Sequence, residues 1–202
     1  MKKIILASKS IDRGRILHNA LIPFDFLLTY VNEDKYKKKI SDPIELVKVL
    51  AKSKAESAKQ IMANEKRDAI IIAADTIVEL DGEIIGKAKD EEHAFKTLKK
   101  LVGRAHNLIT GIAITETNNP KIIVDYDTTI VEFIPLSDDD IWAYIRTNEW
   151  RGRAGAYSIR DIASLFIKSI QGSSSNVIGL PLHKMLQILK DEFDTNLLKM
   201  NL

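Results

Sequence analysis

Residues 4–7 form a run of four apolar side chains, Ile4-Ile5-Leu6-Ala7, too brief for a helix and suited to a buried strand. Ser8-Lys9-Ser10 follows, and Ile16, Leu17, Ala20 and Leu21 then recur at helical spacing behind Ser10, a good N-cap. The chain therefore opens strand, polar turn, helix. Pro23 ends that helix, residues 24–31 read as a second strand stopped by Asn32-Glu33-Asp34, and residues 35–39 read as a charged loop. Ser41-Asp42-Pro43-Ile44-Glu45 is a helix start, with Asp42 as cap, Pro43 in the first turn and Glu45 near the positive end of the dipole. Leu46, Leu50, Ala51, Lys54, Ala55, Ala58, Ile61 and Met62 are spaced for one face of a helix to about Asn64.

Residues 69–74 predict a buried strand ending at Asp75-Thr76, and residues 77–80 and 83–85 predict a hairpin across Asp81-Gly82. An amphipathic helix over 90–102 is closed by Gly103. Residues 108–115 and 122–133 alternate as a long strand pair, and Ser137-Asp138-Asp139-Asp140 caps a helix to about Arg146. A strand over 163–170, a helix over 177–191 and a helical or frayed tail from Asp194 complete the reading. Alternating strands and helices with hairpins mixed in give an α/β domain whose sheet is mixed and partly antiparallel.

Composition narrows the chemistry. The chain has 202 residues, enough for one domain or two small lobes, and no cysteine, which excludes disulfides, Cys-ligated zinc, iron–sulfur clusters and thiol nucleophiles. Thirty Lys and Arg against 28 Asp and Glu give a net charge of +2, too weak a field for a protein that coats nucleic acid. No stretch reaches the ~18 apolar residues of a membrane span. The apolar start is cut short by Lys9, Asp12, Arg13 and Arg15, so the expected location is the cytoplasm.

Two segments carry candidate chemistry. Ser8-Lys9-Ser10-Ile11-Asp12-Arg13 lies where a strand gives way to a helix, so amide N–H groups, hydroxyls and cations converge there in a cradle suited to phosphate. The same pattern also describes a capped surface helix with solvated charges. Ile70-Ile71-Ile72-Ala73-Ala74-Asp75-Thr76 delivers one carboxylate to a strand end, the edge where open α/β sheets bind ligands. Asp75 there suits a Mg²⁺ ligand or a proton acceptor, and Thr76 a ligand hydrogen bond, although Asp at a strand end is also a common turn former.

Other motifs weaken under inspection. Gly82-Glu83-Ile84-Ile85-Gly86-Lys87 imitates a phosphate-binding Walker loop, but has three residues between its glycines and Ala88 where Ser or Thr is needed. Trp150-Arg151-Gly152-Arg153-Ala154-Gly155 suits the grip of a small nucleotide's phosphates or a solvated turn, and lacks the flanking helices of a KH module. Gly172-Ser173-Ser174-Ser175-Asn176 is a polar turn that could offer further backbone N–H groups. The four histidines make no metal-spaced pair.

Taken in order, Leu6-Ala7-Ser8-x-Ser10-x-x-Arg13, Ala74-Asp75-Thr76, Gly86-Lys87, Gly103-Arg104-Ala105-His106, Ala154-Gly155-Ala156-Tyr157-x-Ile159 and Asn176-Val177-x-Gly179-Leu180-Pro181 resemble the Maf family over nearly the whole chain. Its members are nucleoside triphosphate pyrophosphatases once described as septum-formation inhibitors. The resemblance implies one such domain over residues 1–202, a mixed α/β fold similar to inosine-triphosphate pyrophosphatases, and two lobes around a cleft. It implies cleavage between the α- and β-phosphates to a nucleoside monophosphate and pyrophosphate, a divalent cation (Mg²⁺ or Mn²⁺), a nucleoside triphosphate as the partner, and often a homodimer. By position, Asp75 matches the family's proton acceptor, and Ser8, Arg13, Glu33, Lys54 and Lys87 match its other cleft residues.

The chemistry agrees with that resemblance. Arg13, Lys54 and Lys87 can neutralise a triphosphate, and Glu33 and Asp75, read as the ends of two apolar strands, can share a hard divalent cation. Two positions depart from the family. Ile11-Asp12-Arg13 replaces its usual Pro-Arg-Arg, and Arg160 stands where pyrimidine-triphosphate members carry Gln; the methylated-guanosine branch matches neither. Asp12 and Arg160 usually read the base, so base specificity does not transfer. A second reading is a non-enzymatic, nucleotide-sensing regulator of cell division. Asp75, Glu33 and Lys87 favour the enzyme, because a pure binder needs no base. A stable nucleic-acid partner is not expected at this net charge.

Overall fold

The computed structural model describes residues 2–199. Its strands are β1 (Lys3–Ala7), β2 (Asp25–Phe26), β3 (Ala69–Leu80), β4 (Glu83–Ile85), β5 (Ala105–Glu116), β6 (Ile122–Phe133) and β7 (Ile167–Gln171). They form one sheet in the order β2-β1-β3-β5-β6-β7, with β4 pairing β3. β1 runs parallel to β2 and β3, whereas β3–β4 and β6–β7 are antiparallel, so the sheet is mixed as the alternation of elements predicts. The helices are α1 (Ile11–Asn19), α2 (Glu33–Lys37), α3 (Pro43–Asn64), α4 (Glu91–Leu101), α5 (Asp138–Arg146), α6 (Ser174–Ile178) and α7 (Leu182–Phe193). Among the described residues no helix is long and apolar enough to cross a membrane.

The described residues divide into two compact units, one comprising residues 2–75, Thr110–Asp127 and residues 179–199, the other Thr76–Ile109 and Thr128–Ile178. In the first, the alanine face of α3 (Ala51, Ala55, Ala58) packs on Ile5, Ala7, Ile71, Ala73 and Ala113. Small residues let the helix approach the strands closely. At Gly111 of β5 an added Cβ would lie 2.3 Å from the Val47 carbonyl oxygen of α3. In the second unit, α4 and α5 enclose an apolar core with Val78, Leu108, Val131 and an aromatic cluster of Phe133, Tyr144, Tyr157 and Phe166. His106 sits among these rings, its Nε2 hydrogen-bonded to the Tyr157 hydroxyl at 2.9 Å.

The caps read from sequence hold: Ser10, Asp42 and Ser137 each accept an N–H from the first turn of their helices, and Ser137 with Asp140 completes a capping box. Asp90, read as the first helical residue, is the N-cap of α4 and accepts the His93 N–H. At the β3–β4 turn both Asp81 and Gly82 have positive φ, as a two-residue hairpin of this twist requires.

Five readings are corrected. The strand expected over 24–31 shrinks to Asp25–Phe26, the two residues that find ladder partners in β1, at Ile5 and Leu6. The charged loop over 35–39 is largely helical, since Asn32 accepts the Lys35 N–H and starts α2 at Glu33. Residues 69–80 are one continuous strand, so Asp75 lies inside β3 and not at its end. The strand expected over 163–170 begins only at Ile167, after a 3-10 turn at Ile162–Leu165 whose first N–H groups are bound by the Glu149 carboxylate. The helix expected over 177–191 is two helices, interrupted at Gly179-Leu180-Pro181, where Pro181 lacks the N–H a continuous helix would need. Of the expected helical tail, Leu197–Lys199 forms a 3-10 turn and residues 200–202 lie outside the described residues.

Candidate active site

The first unit brings Ser8, Arg13, Glu33, Lys54 and Asp75 into one polar cluster. β1 pairs with β3 in parallel as far as Ala7 with Ala73, so Ser8 and Asp75 leave neighbouring strands at the same end of that pairing. The antiparallel pairing of β3 with β4 begins only at Val78. Asp75 thus stands in the interval between two partners, which explains how a mid-strand carboxylate serves the edge that a strand end was expected to serve.

Lys54 organises the acids. From the sixth position after Lys48 on α3, its Nζ lies 2.5 Å from Asp75 Oδ1 and 2.8 Å from Glu33 Oε1. One ammonium therefore bridges both carboxylates. Asp75 and Lys54 are largely buried, while Glu33 is partly open, its side chain 37% exposed. Glu33 does not end a strand, contrary to expectation; it opens α2, where its Oε2 also takes a 3.0 Å bond from Lys37, one turn on. Burial acts to raise the Glu33 carboxyl, but the hydrogen bonds and charges of Lys54 and Lys37 outweigh it and bring it down to about 2. Glu33 is therefore ionised at any neutral pH.

The Ser8–Arg13 segment is more organised than a solvated cap. Arg13 is buried; its Nε donates to the Gly179 carbonyl at 2.6 Å and its Nη1 to Ser8 Oγ at 3.1 Å. Burial lowers the affinity of its guanidinium for a proton, and the charges of Asp75, Glu33 and Asp12 oppose that shift. Ser8 Oγ also accepts the Ser10 N–H at 3.1 Å. Both acceptor positions of the hydroxyl are filled, so its own proton is directed to a further acceptor. A phosphate oxygen is a suitable one. Some donors of the expected cradle are internal: Arg13 N–H binds Ser10 Oγ. Asp12 lies 3.9 Å from Arg15 on its own helix.

Thr76, Lys87 and Arg160 belong to the second unit. Thr76 continues β3 directly after Asp75, Lys87 follows β4 and forms a β-bridge with Ala154, and the Arg160 N–H bonds the Ser158 hydroxyl. Lys87 opens no helix, consistent with the rejection of a Walker loop.

Two participants escaped the sequence reading. Gly179 was expected to lie in a helix, and the preceding serine turn to supply N–H groups; instead the Gly179 carbonyl fixes Arg13, while the Asn176 and Val177 N–H groups bond back to Ser173. No spacing rule links positions 13 and 179. Lys37 was legible in principle, because Glu33 and Lys37 stand at i and i+4, but only once that segment is taken as helix.

Among the described residues no three His, Asp or Glu side chains gather as a metal-ligand group. The two carboxylates do suit a hard divalent ion that takes one or two carboxylates and completes its shell with water and phosphate oxygens. The position of the Lys54 ammonium, in reach of both acids, marks where positive charge is favoured.

The likeness of this chain to known proteins extends over nearly its whole length. The family described as "Maf: Maf-like protein" matches residues 3–192. A dTTP/UTP pyrophosphatase of Caldanaerobacter subterraneus subsp. tengcongensis is 45% identical over 95% of this chain and 89% of its own. Proteins of the same name from Alkaliphilus oremlandii and Pyrococcus furiosus are 42% and 43% identical, over 98% and 94% of this chain and 100% and 95% of theirs. A solved nucleoside-triphosphatase/dITP/XTP pyrophosphatase from Mycobacterium abscessus aligns with a TM-score of 0.35 at 11% identity, over 65% of this chain and 72% of that one. That likeness is too slight to bear on the fold, which the strand order defines.

Proposed function

Because the chain belongs to the family of Maf-like proteins, we infer that it is an enzyme, a nucleoside triphosphate pyrophosphatase. It hydrolyses the bond between the α- and β-phosphates to a nucleoside monophosphate and pyrophosphate. The observation that carries the mechanism is the Glu33–Lys54–Asp75 cluster beside buried Arg13 and Ser8. A regulator that only sensed nucleotides would have no use for a largely buried carboxylate such as Asp75.

We assign the roles as follows. Arg13, anchored by Gly179, presents a fixed positive charge to the triphosphate, and the Ser8 hydroxyl donates to a phosphate oxygen. Asp75 accepts the proton of a water whose oxygen attacks phosphorus in line; the bridging P–O bond breaks and pyrophosphate leaves with its electron pair. Lys54 turns to the phosphates when they arrive. Asp75 and Glu33 would hold a Mg²⁺ or Mn²⁺ ion, whose contribution when bound is to neutralise charge on the phosphates and leaving group.

The relatives' names put dTTP and UTP first as substrates; a house-cleaning role in the cytoplasm belongs to the same proposal. Arg160 replaces the Gln of pyrimidine-hydrolysing members, so purine and modified triphosphates belong in the same panel. The test is release of pyrophosphate and nucleoside monophosphate from that panel, with and without Mg²⁺ or Mn²⁺. Metal-dependent turnover of at least one triphosphate is expected, with a loss of about 10²-fold or more in Asp75→Asn of unchanged circular dichroism. Release of orthophosphate, or near-normal turnover by Asp75→Asn, contradicts the assignment.

A further inference from the structure

We propose that Lys54 is the resident counter-ion of the divalent-metal site, and that metal and triphosphate bind as a coupled pair because each requires this one ammonium to move the same way. The proposal rests on the reading of Asp75 and Glu33 as metal-holding residues. Lys54 Nζ bonds Asp75 Oδ1 at 2.5 Å and Glu33 Oε1 at 2.8 Å, while Lys37 holds the other oxygen of Glu33 at 3.0 Å. Both acids are thus engaged by lysines with no ion added, and the buried Arg13 guanidinium feels the charge of both as well.

Asp75 and Glu33 would hold a divalent cation in competition with the Lys54 ammonium, which already engages one oxygen of each acid and carries the same sign of charge. Metal alone must therefore displace an ion pair that is largely shielded from water. A triphosphate changes the balance. It offers Lys54 another set of anionic oxygens, and the long, unbranched lysine stem on α3 can swing between the two without moving the helix. Departure of Lys54 toward phosphate opens the carboxylates to metal, and metal on the carboxylates favours that departure. By linkage each ligand strengthens the other. In the free protein the lysine also prevents Asp75 and Glu33 from capturing a cation without substrate. Lys37 does not compete in this way, because it contacts Glu33 only and from the more exposed side.

The test measures binding of Mn²⁺ alone, without nucleotide, by electron paramagnetic resonance of the free ion and by calorimetry. The proteins are the wild type, Lys54→Met, Lys37→Met and Lys54→Met/Asp75→Asn. Lys54→Met is expected to bind Mn²⁺ at least about tenfold more tightly than wild type, within the usual range of such couplings. The gain is expected to vanish in the double variant and to be much smaller in Lys37→Met. Equal or weaker Mn²⁺ binding by Lys54→Met, or a gain that survives loss of Asp75, overturns the proposal. Should Lys54→Met fail to fold, Lys54→Gln carries the same comparison. Failure here leaves the pyrophosphatase reading intact if the wild type still hydrolyses a triphosphate with metal; absence of all metal-dependent turnover sinks that reading instead.

Discussion

Single side chains here do opposite things with burial. Asp75 and Arg13 are buried yet charged, and each has its partners: Lys54 for one, Ser8 and the Gly179 carbonyl for the other. Such groups are costly to leave unpaired, so the surroundings hold them in fixed positions. His106 takes the other route. Burial, partly opposed by the Arg104 backbone, lowers it to about 4 from an ordinary 6.5, so it is neutral in the folded protein. The unfolded chain therefore binds the extra proton between pH 6.5 and 4, and stability must fall as pH falls through that window. The full shift corresponds to a ceiling of ~3 kcal/mol. Denaturant unfolding of His106→Gln should show a flatter dependence over that interval than wild type; parallel curves would mean that His106 is not the group responsible.

Elements in this protein are set by their ends more than by their middles. Helices α1, α3, α4 and α5 begin at side chains that bind first-turn N–H groups, and all four starts are legible in the sequence. α3 also shows what an element requires from its neighbour. Its alanine face and Gly111 permit backbone-to-strand contact so close that a methyl group at 111 would meet the Val47 carbonyl at 2.3 Å. That neighbour is helix backbone, which cannot turn aside. Gly111→Ala is expected to destabilise by about 2–3 kcal/mol, seen as a lower urea midpoint at unchanged m-value. Because α3 carries Lys54, the same shift should weaken activity as well. A midpoint within error of wild type would show that the helix can yield.

For the molecule as a whole, function and stability are coupled through the site. Its residues come from β1, α1, α2, α3 and β3 and the turn before α7, positions 8 to 179, so a bound ligand ties together distant parts of the chain. On the proposed function, a non-hydrolysable α,β-methylene triphosphate with Mg²⁺ should bind only the folded state. At a hundredfold excess over Kd it should add about 2.7 kcal/mol, and for a chain of this size raise Tm by roughly 5–10 °C. Scanning calorimetry with ligand and metal, each alone and together, measures this. An unchanged Tm with both present at saturating concentration would contradict the assigned site.

The sequence alone determined the α/β class, the capped helices, the hairpin at Asp81-Gly82 and the names of the residues that cluster in the first unit. These depend on local patterns of period, capping and turn chemistry, or on motif order. It placed Asp75 and Glu33 on strand ends, and there tertiary structure decided otherwise. Whether a residue ends a strand depends on where its partners stop: β3 runs on past Asp75 with β5 beside it and β4 paired from Val78, and β2 is limited to the two residues that pair with Ile5 and Leu6 of β1. Likewise only the folded chain could bring the Gly179 carbonyl to Arg13 and set one lysine between two acids. Those contacts join residues 166 and 21 positions apart, a separation that no local periodicity encodes.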